Sequence, residues 1–440
     1  LSNLKTQLRR LALSVSVGSW DKQSLTARLS RALDGGPPDP ERLAARLLFH
    51  FDAGLPPPQP QLIAWLRQDN EIRQTWERAG GSFEVRLLLD PPVMGSLPGG
   101  LITLPLPELA TWKDLRLWLG LSDNELAWFA DREGRQGRVG ESKLHHYRYR
   151  WQEKPSGARR LLEIPKVRLK TMQRQILHQL LDRVPVHAAA HGFRRHRSCL
   201  SYVTPHVGQA VVLRMDLQDF FHRVPVARIG AMFRRLGYPP SVARLLQGLC
   251  THASSPTLVG QAFDTLPWET RQLLRYKHLP QGAPSSPAIA NLCAWRLDCR
   301  LQGVAERFDL AYTRYADDLA FSGASELLSL APFLRALVGK IALEEGFLIN
   351  QHKTRLQTPA QSQRLAGIVI NERPNLPRHE YDALKAILYN CVRFGPDSQN
   401  RQQHADFRSY LAGRIAYASW LNPVKGERLK ALWRHIQWPV

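Results

Sequence analysis

The sequence predicts an α+β chain: a mainly helical N-terminal extension, then a longer region in which short strands alternate with amphipathic helices. Three observations carry this. Through the first quarter, apolar residues fall at helical spacing between clusters of Gly and Pro that interrupt it. Beyond residue 111, short runs rich in β-branched and aromatic residues appear, such as VVLRMDL and LAYTRY. The charge shifts at the same place: residues 1–110 hold 12 Lys and Arg against 11 Asp and Glu, whereas residues 111–440 hold 48 against 27. At 440 residues the chain exceeds one ordinary core, so two or three domains are expected.

Taken in order, residues 1–33 alternate leucines with polar and basic residues until DGGPPDPE (34–41) breaks the pattern. RLAARLLFHF reads as a second helical stretch, closed by GLPPPQPQ (54–61). QLIAWLRQDNEIRQTWERA reads as a third helix, and SFEVRLLLDPP as a strand or short apolar segment before the turn-rich DPPVMGSLPGG. This extension reads as a scaffold or a surface for a protein or structured-RNA partner. HHYRYRWQEKPSGARRLLEIPK predicts two strands around a KPSG turn. LKTMQRQILHQLLDRV predicts a helix with Leu169, Met172, Ile176 and Leu180 on one face. AVVLRMDL (210–217) is a short buried strand, followed by helices to about residue 250.

Several classes fall away. No run approaches the roughly 20 apolar residues of a membrane span, and the opening LSNLKTQLRR lacks the basic-then-apolar layout of a secretory signal, so a cytoplasmic protein without membrane partners is expected. Five cysteines, with no Cys-x-x-Cys pair, suggest neither a disulfide framework nor a thiolate zinc site; they read as buried, reduced thiols. His187 and His191 in HAAAH have the spacing of a zinc-binding helix but lack its glutamate. The net charge of +22 favours a polyanion, with nucleic acid the leading partner.

The chemistry centres on LAYTRYADDLAFSG (310–323). Adjacent side chains of a strand point to opposite faces, so Asp317 and Asp318 can serve one site only where the backbone turns. YTRY and LAF read as two short strands with Ala316 and Asp317 at the tip of a tight hairpin. Two carboxylates beside an apolar sheet raise one another's pKa unless a cation neutralises them. A hard cation such as Mg²⁺ takes oxygen ligands, and two-metal phosphoryl-transfer sites share carboxylates between ions about 3.5–4 Å apart. Asp216, at the end of its strand, supplies a third acid. In LPQGAPSSP (279–287), Gly282 frees a loop to approach a ligand closely, and Ser286 and Pro287 suit a helix start. Ile289, Cys293, Leu297 and Leu301 then form a buried helix face.

Together, Tyr315-Ala316-Asp317-Asp318, the strand ending in Asp216, and LPQGAPSSP resemble the palm of a reverse transcriptase, most similar to the bacterial retron-type enzymes. The resemblance spans about residues 140–440. It implies a right-hand polymerase fold: fingers at 111–209, an antiparallel-sheet palm with inserted helical segments at 210–371, and a helical thumb at 372–440, after the extension at 1–110. It implies an RNA-directed DNA polymerase that joins dNTPs to a primer 3′-hydroxyl, with two Mg²⁺ ions, or Mn²⁺ in their place, on Asp216, Asp317 and Asp318. Its partners are an RNA template, a DNA or RNA primer, and the RNA–DNA duplex between them. ARRLLEIPK resembles the fingers segment, placing Arg160 at the incoming triphosphate. EEGFLINQHKTRL places Lys353 as general acid for the departing pyrophosphate. Leu217, Asp219, Phe221, Gln281 and Gly282 fall in nucleotide-contacting positions, Phe221 against the sugar; Asp219 could equally cap the next helix. Two segments depart from the retron pattern: YVTPH (202–206), which retains His206 of an Asn-Ala-x-x-His motif, and LAG (365–367) in place of Val-Thr-Gly. The chain also resembles retron-like enzymes not assigned to a retron, several linked to phage defence. A template-relaxed nucleotidyltransferase and a catalytically idle RNA-binding module are the alternatives from other classes.

Overall fold

The computed structural model describes residues 2–438 except 17–19, 52–55, 81–83, 88–92, 98–99, 101–102, 132–133, 135, 137–141, 154–156, 158 and 255. The chain divides into two compact units, Leu1–Pro185 with Val224–Ile289, and Val186–Arg223 with Ala290–Val440.

In the first unit, helices Ser2–Val15, Lys22–Leu33, Pro40–His50, Gln59–Gln68 and Asn70–Arg78 enclose one core that includes Leu11, Leu25, Leu43, Leu62 and Ile72. The single helix expected over 61–79 is two. Asp69 ends the first and caps the second, accepting the Ile72 N–H at 3.1 Å while pairing with Arg46 at 3.0 Å. The strand expected in SFEVRLLLDPP is not formed at 84–87. There the Val85 N–H goes to Gln7 and the Arg86 N–H to the Ala32 carbonyl, so helices rather than a strand take its donors. The rest of that segment, 82–83 and 88–92, lies outside the described residues, as do 90–92 and 98–99 of DPPVMGSLPGG. Strands β1 (Tyr147–Glu153) and β2 (Arg159–Pro165) pair antiparallel, with Tyr147 opposite Pro165 and Glu153 opposite Arg159. Residues 154–156 of the KPSG turn lie outside the described residues. Helix Val167–Gln179 buries Leu169, Met172 and Ile176, with Leu180 buried at its end, and helices Val226–Arg235 and Pro240–Cys250 follow as expected.

The second unit is organised by a sheet of β3 (Val211–Gln218), β4 (Ala311–Tyr315), β5 (Asp318–Gly323), β6 (Leu348–Ile349) and β7 (Arg355–Gln357). Its order is β4-β5-β3-β6, with β7 also on β3, and every pairing is antiparallel. A small hairpin of β8 (Arg364–Leu365) and β9 (Ile368–Val369) packs Leu365 and Ile368 with Val212, Ala320 and Tyr202. Helices Arg378–Phe394, Phe407–Leu421 and Pro423–Arg434 enclose a separate core of Leu384, Leu388, Leu411, Ile415 and Leu429.

Further readings differ from the structure. The helix beginning at Ser286 is interrupted at Ala294, giving Ser286–Cys293 and Trp295–Arg307, although Ile289, Cys293, Leu297 and Leu301 are all buried. The Ser286 hydroxyl does not cap it; it donates to the Pro280 carbonyl at 2.8 Å and closes the preceding loop. Of the five free cysteines, Cys250, Cys293 and Cys391 are buried, but Cys199 is half-buried and Cys299 exposed. HAAAH is not helical: its backbone runs beside β4, where Ala190 bridges to Arg314, and His191 bonds Ser201 at 2.9 Å. No helix among the described residues is long and apolar enough to cross a membrane.

Candidate active site

Tyr315 ends β4 and Asp318 begins β5, so Ala316 and Asp317 form a two-residue turn. Such turns need positive φ. Ala316 takes φ +57, and at that position the chain reverses. Asp318 lies opposite Asp216 in the β3–β5 register. The Leu217 N–H donates to the Asp317 carbonyl at 2.8 Å, and the Asn350 N–H donates to the Asp216 carbonyl at 2.7 Å. The adjacent aspartates therefore do not sit on opposite faces of one strand: one occupies the turn and the other starts the returning strand.

The cluster is charged and largely buried. Burial pushes the Asp317 carboxyl up to about 6, with the neighbouring Asp216 and Asp318 charges adding to the effect. Burial also raises Asp216, although the Lys353 ammonium lies 2.8 and 2.9 Å from its two oxygens and opposes the shift. Arg214 sends Nε and Nη2 to Asp318 Oδ1 at 3.0 and 2.7 Å. Two cations against three carboxylates leave the group one charge short of neutral. Among the described residues the oxygens of the three aspartates do not all lie within 4.8 Å of one another; Lys353 pairs with Asp216 and Arg214 with Asp318. An all-oxygen donor set with excess negative charge fits a hard divalent cation.

Beside it, Phe220 is buried against Phe347, with ring centroids 5.5 Å apart, whereas Phe221 is half-buried and 6.0 Å from the Phe193 ring. Leu217 is buried, and its N–H is already taken by the turn. Asp219 adopts φ +49, and its carbonyl accepts the Arg223 N–H. Tyr315 is half-buried and packs near Tyr202, with centroids 5.6 Å apart. His206 is fully buried between Ser322 and Thr313, at 2.6 and 2.7 Å, and burial pushes it down to about 3, so a neutral imidazole ties β5 to β4.

Arg160, Gln281 and Gly282 belong to the first unit. Arg160 is half-buried on β2, opposite Gln152. Gly282 has φ +138, and a Cβ there would fall 2.8 Å from the Glu163 carbonyl oxygen, so only glycine lets the loop lie this close to β2. Glu163 latches that loop: its N–H donates to the Gln281 carbonyl at 2.9 Å and its carboxylate accepts the Gln281 N–H at 3.3 Å. The same buried carboxylate takes His278 Nε2 at 2.9 Å and the Ser254 hydroxyl.

Glu163, His278, Arg214 and Arg314 are the supporting residues that motif reading passed over. The available signal was a charged residue inside an otherwise apolar strand, as in LLEIP and AYTRY.

A family model for reverse transcriptases (RNA-dependent DNA polymerases) matches residues 152–382. The chain is 38% identical over 331 residues to the retron Mx65 reverse transcriptase of Myxococcus xanthus, covering 74% of this chain and 71% of that one. It is 32% identical over 344 residues to the retron Mx162 reverse transcriptase of the same organism, covering 74% and 67%. It is 32% identical over 250 residues to the retron Ec86 reverse transcriptase of Escherichia coli, covering 56% and 69%. The chain belongs to the reverse transcriptase family, among its bacterial retron-type members. It is thus an RNA-directed DNA polymerase, of the right-hand polymerase fold, in a family that works on RNA templates and primers with divalent metal ions.

Proposed function

We propose that Asp216, Asp317 and Asp318 hold the cations of this polymerase, two Mg²⁺ with Mn²⁺ able to substitute. The observation that supports this most directly is geometric: Asp317 sits half-buried in the turn while Asp318 lies opposite Asp216 in the strand register, and burial raises the Asp317 carboxyl to about 6. When bound, the cations lower the pKa of the primer 3′-hydroxyl and neutralise the triphosphate and departing pyrophosphate. The remaining roles fall to the chain's own groups. Lys353, half exposed on Asp216, supplies a proton to the pyrophosphate. Arg160 binds the incoming triphosphate, while Gln281 and Gly282 contact base and sugar from a loop that Glu163 holds in place. Phe221 closes against the sugar and rejects a ribonucleotide, because a ring leaves a 2′-hydroxyl neither space nor a hydrogen-bond partner. Leu217 and Asp219 lie at the nucleotide site, and Tyr315 and Ala316 shape the turn.

In this reading residues 111–209 serve as fingers, 210–371 as palm and 372–440 as thumb, and their excess of basic residues grips an RNA–DNA duplex along its backbone. The near-neutral residues 1–110 receive a protein or structured-RNA partner. The likeness to retron reverse transcriptases supports a retron setting; a role in phage defence is the other setting in which such a polymerase would work. The test is primer extension with Mg²⁺ on defined RNA and DNA templates. The wild-type protein copies RNA with dNTPs, and Asp317→Asn loses synthesis while circular dichroism and duplex binding stay unchanged. Extension by Asp317→Asn at the wild-type rate overturns the assignment. Addition without regard to template favours the template-relaxed nucleotidyltransferase instead.

A further inference from the structure

Arg314 is fully buried on β4, two residues before the turn. Its guanidinium makes four hydrogen bonds. Nε donates to Asp298 Oδ1 at 2.7 Å and Nη2 to Asp298 Oδ2 at 2.6 Å, a two-pronged ion pair in which neither side chain is exposed. Nη1 donates both to Asn291 Oδ1 at 2.9 Å and to the carbonyl of Ala316 at 3.0 Å. The circuit continues: Asn291 Nδ2 donates to the Gly192 carbonyl at 2.9 Å, and Gly192 lies so close to the turn that a Cβ there would come within 2.6 Å of the Ala316 nitrogen. Phe220 places its ring 5.5 Å from the guanidinium carbon, connecting the same group to the segment that follows Asp216.

Burying an arginine is costly, and Asp298 compensates that cost without any contact to the turn. The Ala316 bond is the separate observation. Ala316 occupies a left-handed conformation that costs a non-glycine residue about 1 kcal/mol or more, and its carbonyl leads directly into Asp317. A carbonyl fixed in that orientation fixes the peptide plane from which the Asp317 side chain departs.

We propose that Arg314 is a positioning residue for the cation site: held by Asp298 and Asn291, it clamps the Ala316 carbonyl and keeps the strained turn in the conformation that presents Asp317. The proposal rests on the assignment of Asp317 as a cation ligand. Lysine cannot reproduce the clamp, because a compact ammonium with three donors does not span a carboxylate, an amide and a carbonyl in one plane.

The test measures Mn²⁺ binding to the full chain by electron paramagnetic resonance, without nucleic acid or dNTP, alongside thermal melting and primer extension. Loss of a group that orients a metal ligand weakens affinity about 10- to 100-fold, and Arg314→Lys is expected in that range, with kcat falling and the KM for dNTP nearly unchanged. Glycine adopts the left-handed conformation without strain. Adding Ala316→Gly to Arg314→Lys is therefore expected to recover part of the Mn²⁺ affinity while leaving the melting temperature low. Asn291→Ala, which retains the ion pair, is expected to weaken Mn²⁺ binding less than Arg314→Lys does, and it carries the test if Arg314→Lys does not fold. Wild-type Mn²⁺ affinity in folded Arg314→Lys, or in Asn291→Ala when that variant stands alone, overturns the proposal. So does a double variant that recovers nothing, since the arginine then acts only through folding. Asp317→Asn is the reference: if it binds Mn²⁺ as the wild type does, the ligand assignment itself fails, and the clamp is not what has been tested.

Discussion

Two fully buried carboxylates, Asp298 in one unit and Glu163 in the other, each hold a cation beneath a backbone segment assigned to the polymerase reaction. Asp298 holds Arg314, whose guanidinium reaches the Ala316 carbonyl. Glu163 holds His278 and reaches the Gln281 N–H itself. The architecture is alike, but the cation differs. A guanidinium keeps its proton at any pH a protein survives, whereas an imidazolium can release its own. Burial alone would lower the pKa of His278, but the Glu163 carboxylate and the Tyr276 and Leu273 carbonyls outweigh burial and raise it. One support is therefore permanent and the other conditional on pH.

The largest expected effect comes from removing the permanent pair's acid. Asp298→Ala leaves a buried guanidinium without its counter-charge, and breaking a buried pair in this way costs about 3–5 kcal/mol. Denaturant unfolding should show that loss with little change between pH 6 and 9. A loss under 1 kcal/mol would mean that water or another acid reaches Arg314, and the contrast with Glu163 would collapse.

Glu163→Gln should cost less, about 1–3 kcal/mol for a buried polar group short of a partner, because His278 can discharge by giving up its proton. The pH dependence has a definite sign. A histidine raised on folding contributes stability that is complete below its unfolded value near 6.5 and is lost as pH rises through the folded value. Titrating stability upward from pH 6 should therefore reveal a decline in the wild type that Glu163→Gln lacks. If both proteins give parallel curves, His278 is not charged in the folded protein.

The smallest effect sharpens the comparison by removing one neutral hydroxyl from each carboxylate. Tyr312 donates to Asp298 at 2.9 Å, and Ser254 donates to Glu163. Tyr312→Phe and Ser254→Ala should each cost about 1 kcal/mol. Thermal melts that differ widely between the two would show that one carboxylate depends on its hydroxyl far more than the other.

What the sequence disclosed was the hairpin that carries the adjacent aspartates and the strands around it. Asp317 and Asp318 could be placed on a hairpin because short runs rich in aromatic and β-branched residues flank them, and the two strands around KPSG followed from the same composition on either side of a turn. Of the adjacent Phe220 and Phe221, only Phe220 is buried. Supporting charges stayed hidden for a physical reason. In a chain with 60 Lys and Arg, a buried Arg314 looks like one more surface cation, and nothing local marks the distant Asp298 as its partner. Glu163 was passed over likewise, because its partners His278 and Ser254 lie far along the chain. The two helix breaks had different causes. At Asp69 a side chain competes for backbone donors, a local signal that apolar periodicity overrode. At Ala294 the buried face continues through the break, so the pattern could not show it.

Gly192 carries a consequence for anyone who wishes to evolve this enzyme. Its missing methyl is the space that the turn's backbone occupies, with the nearest obstruction being main-chain atoms that cannot rotate aside. Libraries that diversify residues 315–318 to alter fidelity or metal preference should leave 192 untouched, because any side chain there pushes the hairpin away before the new residues are sampled. Gly192 lies more than a hundred positions upstream of the residues it constrains, outside the window a mutagenic cassette covering the hairpin would span.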